Sequence, residues 1–251
     1  MKARLTVLGS GTSMGVPTIG CDCAVCHSSD PRDRRTRPSV LVEYDGKTVL
    51  IDTTPDFREQ IRQLDAVLYT HAHADHILGI DDLRPLSFHR AGKIPLYARP
   101  EAAEFLRTMF RYIFDADYKY GGLAEVELNP INGPVELFGA RFEPVTVKHG
   151  DAEIIGFRFG SAAYLTDFSE IPEQSFVQLK DLDILFLDAL RHRPHPTHST
   201  VDNSLRIVER VKPKRAFFTH ICHDLPHAAT NATLPEHVQL SYDGMKLEFE
   251  I

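Results

Sequence analysis

Apolar residues in this chain come mostly in short runs bounded by Gly, Pro, Asp and Ser, a spacing that favours strands over long helices. Leu5-Thr6-Val7-Leu8 opens the series. Ser39–Tyr44 and Lys47–Asp52 flank Asp45-Gly46, a strong hairpin signal. Short buried strands are predicted at Asp65–Tyr69, Ile94–Tyr97, Leu182–Asp188 and Ala216–Thr219, and a longer one at Arg141–Lys148. Glu153–Phe159 and Ala162–Thr166 read as another hairpin, and Leu240–Tyr242 and Met245–Phe249 as a last one around Asp243-Gly244. Helices are predicted from Pro100 to about Phe110, where the proline suits a first turn, over roughly Ile171 to Leu179, and beyond His198, where Ser199 or Thr200 can cap. Ile77–Ile80 reads as the start of a short helix. Strands and helices alternate in two halves with no linker or repeat between them, so the expectation is one α/β domain over 1–251.

Composition narrows the function classes. With 43% hydrophobic and 25% charged residues in 251, the chain is ordinary for a globular protein. A formal charge of −7 supplies no electrostatic footprint for long nucleic acid. No apolar run reaches the length of a membrane span. The N-terminus enters a strand pattern directly and not a signal peptide, so a cytoplasmic location is the default expectation.

The chemistry gathers at His71-Ala72-His73-Ala74-Asp75-His76, at the exit of the Asp65–Tyr69 strand. Three imidazoles and a carboxylate packed together cost stability unless something joins them. Their mixture of nitrogen and oxygen donors suits zinc, manganese or iron. In an extended chain His71, His73 and Asp75 share a face, and His76 joins them only if the chain turns. Cys21-Asp22-Cys23-Ala24-Val25-Cys26 supplies three thiolates, one short of a closed tetrahedral zinc site. The fourth place falls to a distant residue or to His27, and Cys222 competes for it. Gly9–Gly15 reads as a flexible turn at the site edge. Arg32, Arg34, Arg35 and Arg37 form either a solvated basic loop or a phosphate-attracting rim.

The pattern His-x-His-x-Asp-His resembles the signature of the metallo-β-lactamase superfamily of hydrolases. The resemblance implies a dinuclear site in an αββα sandwich, two mixed sheets between outer helices. It implies that His71, His73 and His149 bind one ion, that Asp75, His76 and His220 bind the other, and that Asp167 bridges them. Members that bind di-iron for redox chemistry carry Glu where this chain has Ala or Asp between the histidines, which argues for hydrolysis. The Cys-x-Cys-x-x-Cys segment is similar to that of the PhnP-type phosphodiesterases of carbon–phosphorus lyase pathways. There a late His completes a structural zinc site, and His223 matches it, forming a knuckle inserted at about 20–27. The same likeness makes His198 a catalytic residue outside the metal ligands, adds Asp75 as a ligand with a catalytic part, and makes Asp52 a support for a ligand histidine.

Taken together, the resemblance implies a hydrolase with two divalent ions, Zn2+ or Mn2+, and one structural Zn2+. Its implied substrate is a small cyclic phosphodiester, a ribosyl 1,2-cyclic phosphate or a 2′,3′-cyclic nucleotide. Arg84 is a candidate phosphate contact, or else one half of an internal ion pair. The aromatic residues between Phe105 and Tyr120 suggest a lid or a homodimer contact. The competing readings are a hydrolase of another ester (a lactone, thioester or RNA end) and a non-catalytic accessory protein like PqqB.

Overall fold

A computed structural model describes residues 1–88, 90–115, 117–118 and 121–251. Among the described residues fourteen strands form two seven-stranded sheets. The first contains β1 (Lys2–Gly9), β2 (Ser39–Tyr44), β3 (Lys47–Ile51), β4 (Ala66–Leu68), β5 (Ile94–Ala98), β6 (Val126–Pro130) and β14 (Lys246–Glu250), in the order β14-β1-β2-β3-β4-β5-β6. The second contains β7 (Val135–Leu137), β8 (Ala140–His149), β9 (Ala152–Phe159), β10 (Ala162–Leu165), β11 (Ile184–Asp188), β12 (Arg215–Thr219) and β13 (Val238–Leu240), in the order β13-β12-β11-β10-β9-β8-β7. Each sheet is mixed. β1, β2, β3 and β14 pair antiparallel and β3 to β6 parallel; in the second sheet β7 to β10 are antiparallel and β10 to β13 parallel.

Side chains that alternate along the strands divide between an inner and an outer layer. Ile51 and Leu68 of the first sheet meet Tyr164, Phe186 and Phe217 of the second, forming the core between the sheets. Their neighbours in sequence, Leu50 and Val67, point outward. They are covered by α1 (Phe57–Gln60), α2 (Ala74–Ile77), α3 (Leu83–Ser87), α4 (Pro100–Met109) and α5 (Arg111–Phe114) with their connecting segments. Leu185, Leu187 and Phe218 lie under α6 (Val201–Val211) and the loops preceding α7 (His227–Asn231). The parallel strands β4 and β11 are buried along their whole length, as strands covered on both faces must be. The result is the expected αββα sandwich. No helix among the described residues is long and apolar enough to cross a membrane.

Three sequence expectations give way. β13 and β14 are not a hairpin: one lies in each sheet, and the chain crosses between them at Ser241–Met245. Asp243 therefore does more than turn the chain. It accepts hydrogen bonds from the backbone N–H and hydroxyl groups of Ser10 and Thr36 at 2.7–2.9 Å, fastening the turn after β1. The predicted helix over Ile171–Leu179 is a 3-10 segment, Glu173–Leu179. The glycine turn serves close packing and not flexibility: a Cβ on Gly9 would stand 1.9 Å from the Arg37 carbonyl oxygen, and one on Gly11 2.9 Å from that of Arg35.

Candidate functional site

Polar side chains at the ends of the strands converge on one edge of the sandwich, the arrangement expected where parallel strands deliver their C-termini. β4 stops at Leu68, and Thr70, His71 and His73 follow before α2 begins at Ala74. Asp75 and His76 thus lie in a short helix: Asp75 is not in phase with His71 along a strand as the alternation predicts, while the turn that His76 requires is present. The turn separates the motif into two pairs. His71 and His73 gather with His149, from the end of β8, and Asp167; Asp75 and His76 gather with His220 and the same Asp167. Within each group the donor atoms lie within 4.8 Å of one another, and Asp167 belongs to both.

Asp52, Asp167 and His220 reach the site in the same way. Each follows a strand and has left-handed backbone geometry, with φ of 67°, 56° and 57°. This conformation costs a non-glycine residue roughly 1–2 kcal/mol. Non-glycine residues held there are a recognised mark of functional positions.

Hydrogen bonds from Nδ1 orient three of the imidazoles. His149 Nδ1 donates to the Thr197 carbonyl at 2.8 Å. His76 Nδ1 donates to Asp52 at 2.7 Å. His71 Nδ1 donates to the Thr70 hydroxyl at 3.0 Å, which in turn donates to Asp52 at 2.8 Å. Each of these rings is left to present Nε2 to the cavity. Asp52, fully buried, thereby supports a histidine of each group, directly or through Thr70.

Nε2 of His71, His76 and His220 and Oδ2 of Asp75 make no well-formed hydrogen bond on the cavity side and face only one another and Asp167, at 3.1–3.9 Å. A buried polar atom without a partner is costly, and several pointing into one space fit a cation. The charge balance agrees. Burial holds His71 and His149 below the ordinary histidine range, and therefore neutral as ligands must be. Burial also opposes charge on His76 and His220, but Asp167 outweighs it, assisted by Asp75; His76 rises well above its usual value and His220 to about 10. The same ion pairs, opposed by burial, hold Asp75 and Asp167 well below the carboxylate range. Without a cation, protons on His76 and His220 stand in for it. The residues fit a divalent metal centre.

His198 sits between the two groups, its ring 4.9 Å from that of His149 and 4.5 Å from that of His220, stacked on the latter. Its Nδ1 donates to Asp188 Oδ2 at 2.7 Å. Asp188 is the functional residue that sequence reasoning missed. The signal was available, because Asp188 ends an apolar strand just as Asp52 and Asp167 follow theirs. The Thr200 hydroxyl accepts from Asn203 N–H at 3.1 Å and so caps α6, holding the far side of this loop.

The cysteine knuckle lies apart from these groups. His223 Nδ1 is 3.1 Å from Cys21 Sγ and 3.5 Å from both Cys23 and Cys26. The two competitors point elsewhere: His27 pairs with Asp22 at 3.2 Å, and Cys222 Sγ accepts from Asp224 N–H at 3.3 Å. A hydrogen bond from Cys26 N–H lowers the Cys23 thiol to about 6, while burial raises Cys26 to about 11. Four donors converging in this way fit a closed zinc site.

The basic segment beside it divides: Arg32 and Arg34 are exposed, as a solvated loop requires, whereas Arg35 turns inward. Arg35 is buried and donates to the carbonyls of Cys222 at 2.9 Å and Leu225 at 2.7 Å, with Asp33 at 3.0 Å as counterion. Arg32 pairs with Asp30 and Arg37 with Asp56. Arg84 donates to the Gly122 carbonyl at 3.1 Å on an exposed surface and is not brought to the site. Of the aromatic segment, Phe105 borders the cavity beside His73 and Tyr112 donates to Asp81 at 2.9 Å; Tyr120 lies outside the described residues.

A family model described as a β-lactamase superfamily domain matches residues 47–221. The crystal structure of a diphosphatase from the PhnP family is 62% identical and superposes with a TM-score of 0.94, covering 99% of this chain and 98% of that one. An octanoyltransferase of Porphyromonas gingivalis is 37% identical over 97% of this chain and 51% of its own length. A ribonuclease Z of Bradyrhizobium diazoefficiens is 28% identical over 54% of the chain and 48% of its own length. The chain thus spans about half the length of these curated relatives.

Proposed function

The chain belongs to the metallo-β-lactamase superfamily, close to its PhnP family, and from that membership we propose a metal-dependent hydrolase of phosphodiester bonds, acting on small cyclic phosphates such as ribosyl 1,2-cyclic phosphate or a 2′,3′-cyclic nucleotide. The observation that carries the reading is the meeting of two donor groups at Asp167 with His198 between them.

His71, His73 and His149 would hold one divalent ion and Asp75, His76 and His220 a second, zinc or manganese, with Asp167 shared. Divalent cations in such a site act as Lewis acids on phosphoryl oxygens and make hydroxide available near neutral pH. The chain's own residues supply the rest. Asp52, fully buried, holds His76 and Thr70 in register. Asp75, whose carboxylate faces the cavity 3.3 Å from His76 and 3.6 Å from His220, accepts from the attacking water and orients it. His198, with Nδ1 committed to Asp188, carries a proton on Nε2 to the departing alkoxide, a role commonly worth 10²–10⁴ in rate. Opening a cyclic phosphate leaves that alkoxide attached to the product, so one proton delivered at one position completes the step.

Cys21, Cys23, Cys26 and His223 would hold a structural zinc. His223→Ala is expected to lower zinc content by one equivalent and to lower stability, while His27→Ala does neither.

The test is hydrolysis by metal-depleted and by zinc- or manganese-restored protein of a 2′,3′-cyclic nucleotide, a linear diester, a monoester, a diphosphate and a lactone. Metal-dependent cleavage of the diesters supports the reading. Cleavage of the diphosphate in preference would move the substrate toward that of the diphosphatase relative, and cleavage of the lactone alone would end the phosphate chemistry.

A further inference from the structure

α4 packs on the sheet through Ala102, Ala103 and Leu106, all buried. Phe105 lies on its flank instead, 47% exposed, where the core makes no use of it. The ring borders a cavity of about 330 Å³ whose lining includes His71, His73 and His149. Ala152 and Ile154 of β9 and Ala102 of α4 give the cavity apolar walls. Arg99 and Glu101 of the lining stand 3.6 Å apart, and the exposed Glu153 of β9 adds a second carboxylate. An apolar slot with a few polar groups at one edge is the usual form of a small-molecule site, and this volume is at the small end of the range, enough for one ring-sized group.

We propose that this cavity is a subsite for a planar aromatic ring linked to the scissile phosphate, with Phe105 as its stacking face and the Arg99–Glu101 pair as its polar edge. The proposal rests on the phosphodiester reading for its orientation, since the phosphate end of the ligand lies at the three histidines. A nucleobase and a simple aryl group share the chemistry that the slot recognises. They differ at the rim: a base has hydrogen-bonding edges for Arg99 and Glu101, and an aryl group has none. Base–aromatic stacking tolerates any base, so selectivity among bases would come from the polar lining, Arg99, Glu101 and Glu153.

The experiment uses the metal-loaded full chain, with Phe105→Ala, Phe105→Trp and a double Arg99→Met, Glu101→Gln variant. Binding of adenosine 5′-monophosphate, phenyl phosphate and ribose 5-phosphate is measured by calorimetry, and turnover is compared between adenosine 2′,3′-cyclic phosphate and base-free ribosyl 1,2-cyclic phosphate. Phe105→Ala is expected to reduce the preference for ring-bearing over ring-free ligands by roughly 10- to 100-fold, in both affinity and kcat/KM, with Phe105→Trp restoring it. Loss of adenosine 5′-monophosphate affinity in the rim variant with phenyl phosphate unchanged identifies the ring as a base; equal loss or none identifies an aryl group. An unchanged preference in Phe105→Ala overturns the subsite. So does a change confined to oligomeric state in light scattering, which would give the ring to an interface between copies. Phe105-dependent adenosine 5′-monophosphate binding without hydrolysis of any diester would uphold the subsite and remove the phosphodiesterase reading.

Discussion

Asp188 Oδ2 lies 2.7 Å from Nδ1 of His198, and this contact decides which nitrogen of His198 is left free for the role proposed for it. Asp188 is fully buried and its other carboxylate oxygen has no partner, so the imidazole is its main neutralising contact. Asp188→Asn keeps the shape but removes the anion, and its amide can donate to Nδ1; the ring's single proton then sits on Nε2 with none on Nδ1 to keep, so giving it up would leave an imidazolate. We expect kcat to fall by roughly 10²–10⁴ in Asp188→Asn and in His198→Ala. A substrate whose leaving group needs no proton, such as a nitrophenyl diester, should lose much less. Equal losses for both substrates would show that the pair serves the fold or the metals and not the proton.

Loading the centre should release protons. His76 and His220 are held protonated by Asp167 and Asp75 in the absence of a cation, His220 with a pKa of about 10. A ligand imidazole must be neutral, so roughly two protons should leave per filled site at pH 7. Calorimetric titration of metal into depleted protein, in buffers of different ionisation enthalpy, counts them. Release near zero would contradict the charge balance described for the site.

Arg35 ties together the two sides of the knuckle. Its guanidinium holds the Cys222 and Leu225 carbonyls, on the loop that also carries His220 and His223. Removing it leaves Asp33, itself 5% exposed, as a buried charge without its counterion. Arg35→Met should destabilise the protein by about 3–5 kcal/mol, read by denaturant unfolding. Arg35→Lys should recover little of this, because an ammonium cannot span two carbonyls and a carboxylate in one plane. Asp33→Asn added to Arg35→Met should recover part of the loss.

Acid sensitivity should come in part from His227. It is buried, its Nδ1 has no partner, and burial together with the charges of Arg32 and Arg35 lowers its pKa to about 4. The unfolded chain takes this proton near pH 6.5 and the folded one only near 4, so this contribution to stability is complete above about 6.5 and is lost as pH falls to about 4. With solvent screening allowed for, the effect is about 1–2 kcal/mol. His227→Phe, which keeps a ring against Tyr242, should flatten the stability–pH curve in that window and leave it unchanged above pH 7.

What could be read in advance followed from locality. The His71–His76 motif is contiguous, so its chemistry was legible before any fold was known, and the strands ending near Asp52, His149, Asp167 and His220 were legible from their apolar runs. The partner of His198 was not, because Asp188 is ten residues away and looks like any strand terminus until the loop folds back. Arg35 had the composition of a surface charge run; only its carbonyl partners, nearly two hundred residues later, make it a core residue. Asp243-Gly244 showed the opposite error. A sound local hairpin signal was overridden because β13 and β14 find better partners in different sheets.

Three of the site's polar residues, Asp52, Asp167 and His220, occupy backbone conformations in which glycine would be more comfortable. At these positions the needs of the scaffold and of the reaction diverge: relaxing the chain discards the side chain for which the strain is tolerated. A library of variants sorted for thermal endurance alone would therefore be expected to drift away from hydrolysis here first. The same molecule sorted for turnover would accumulate its stabilising changes elsewhere, on the outer helices and the antiparallel halves of the sheets.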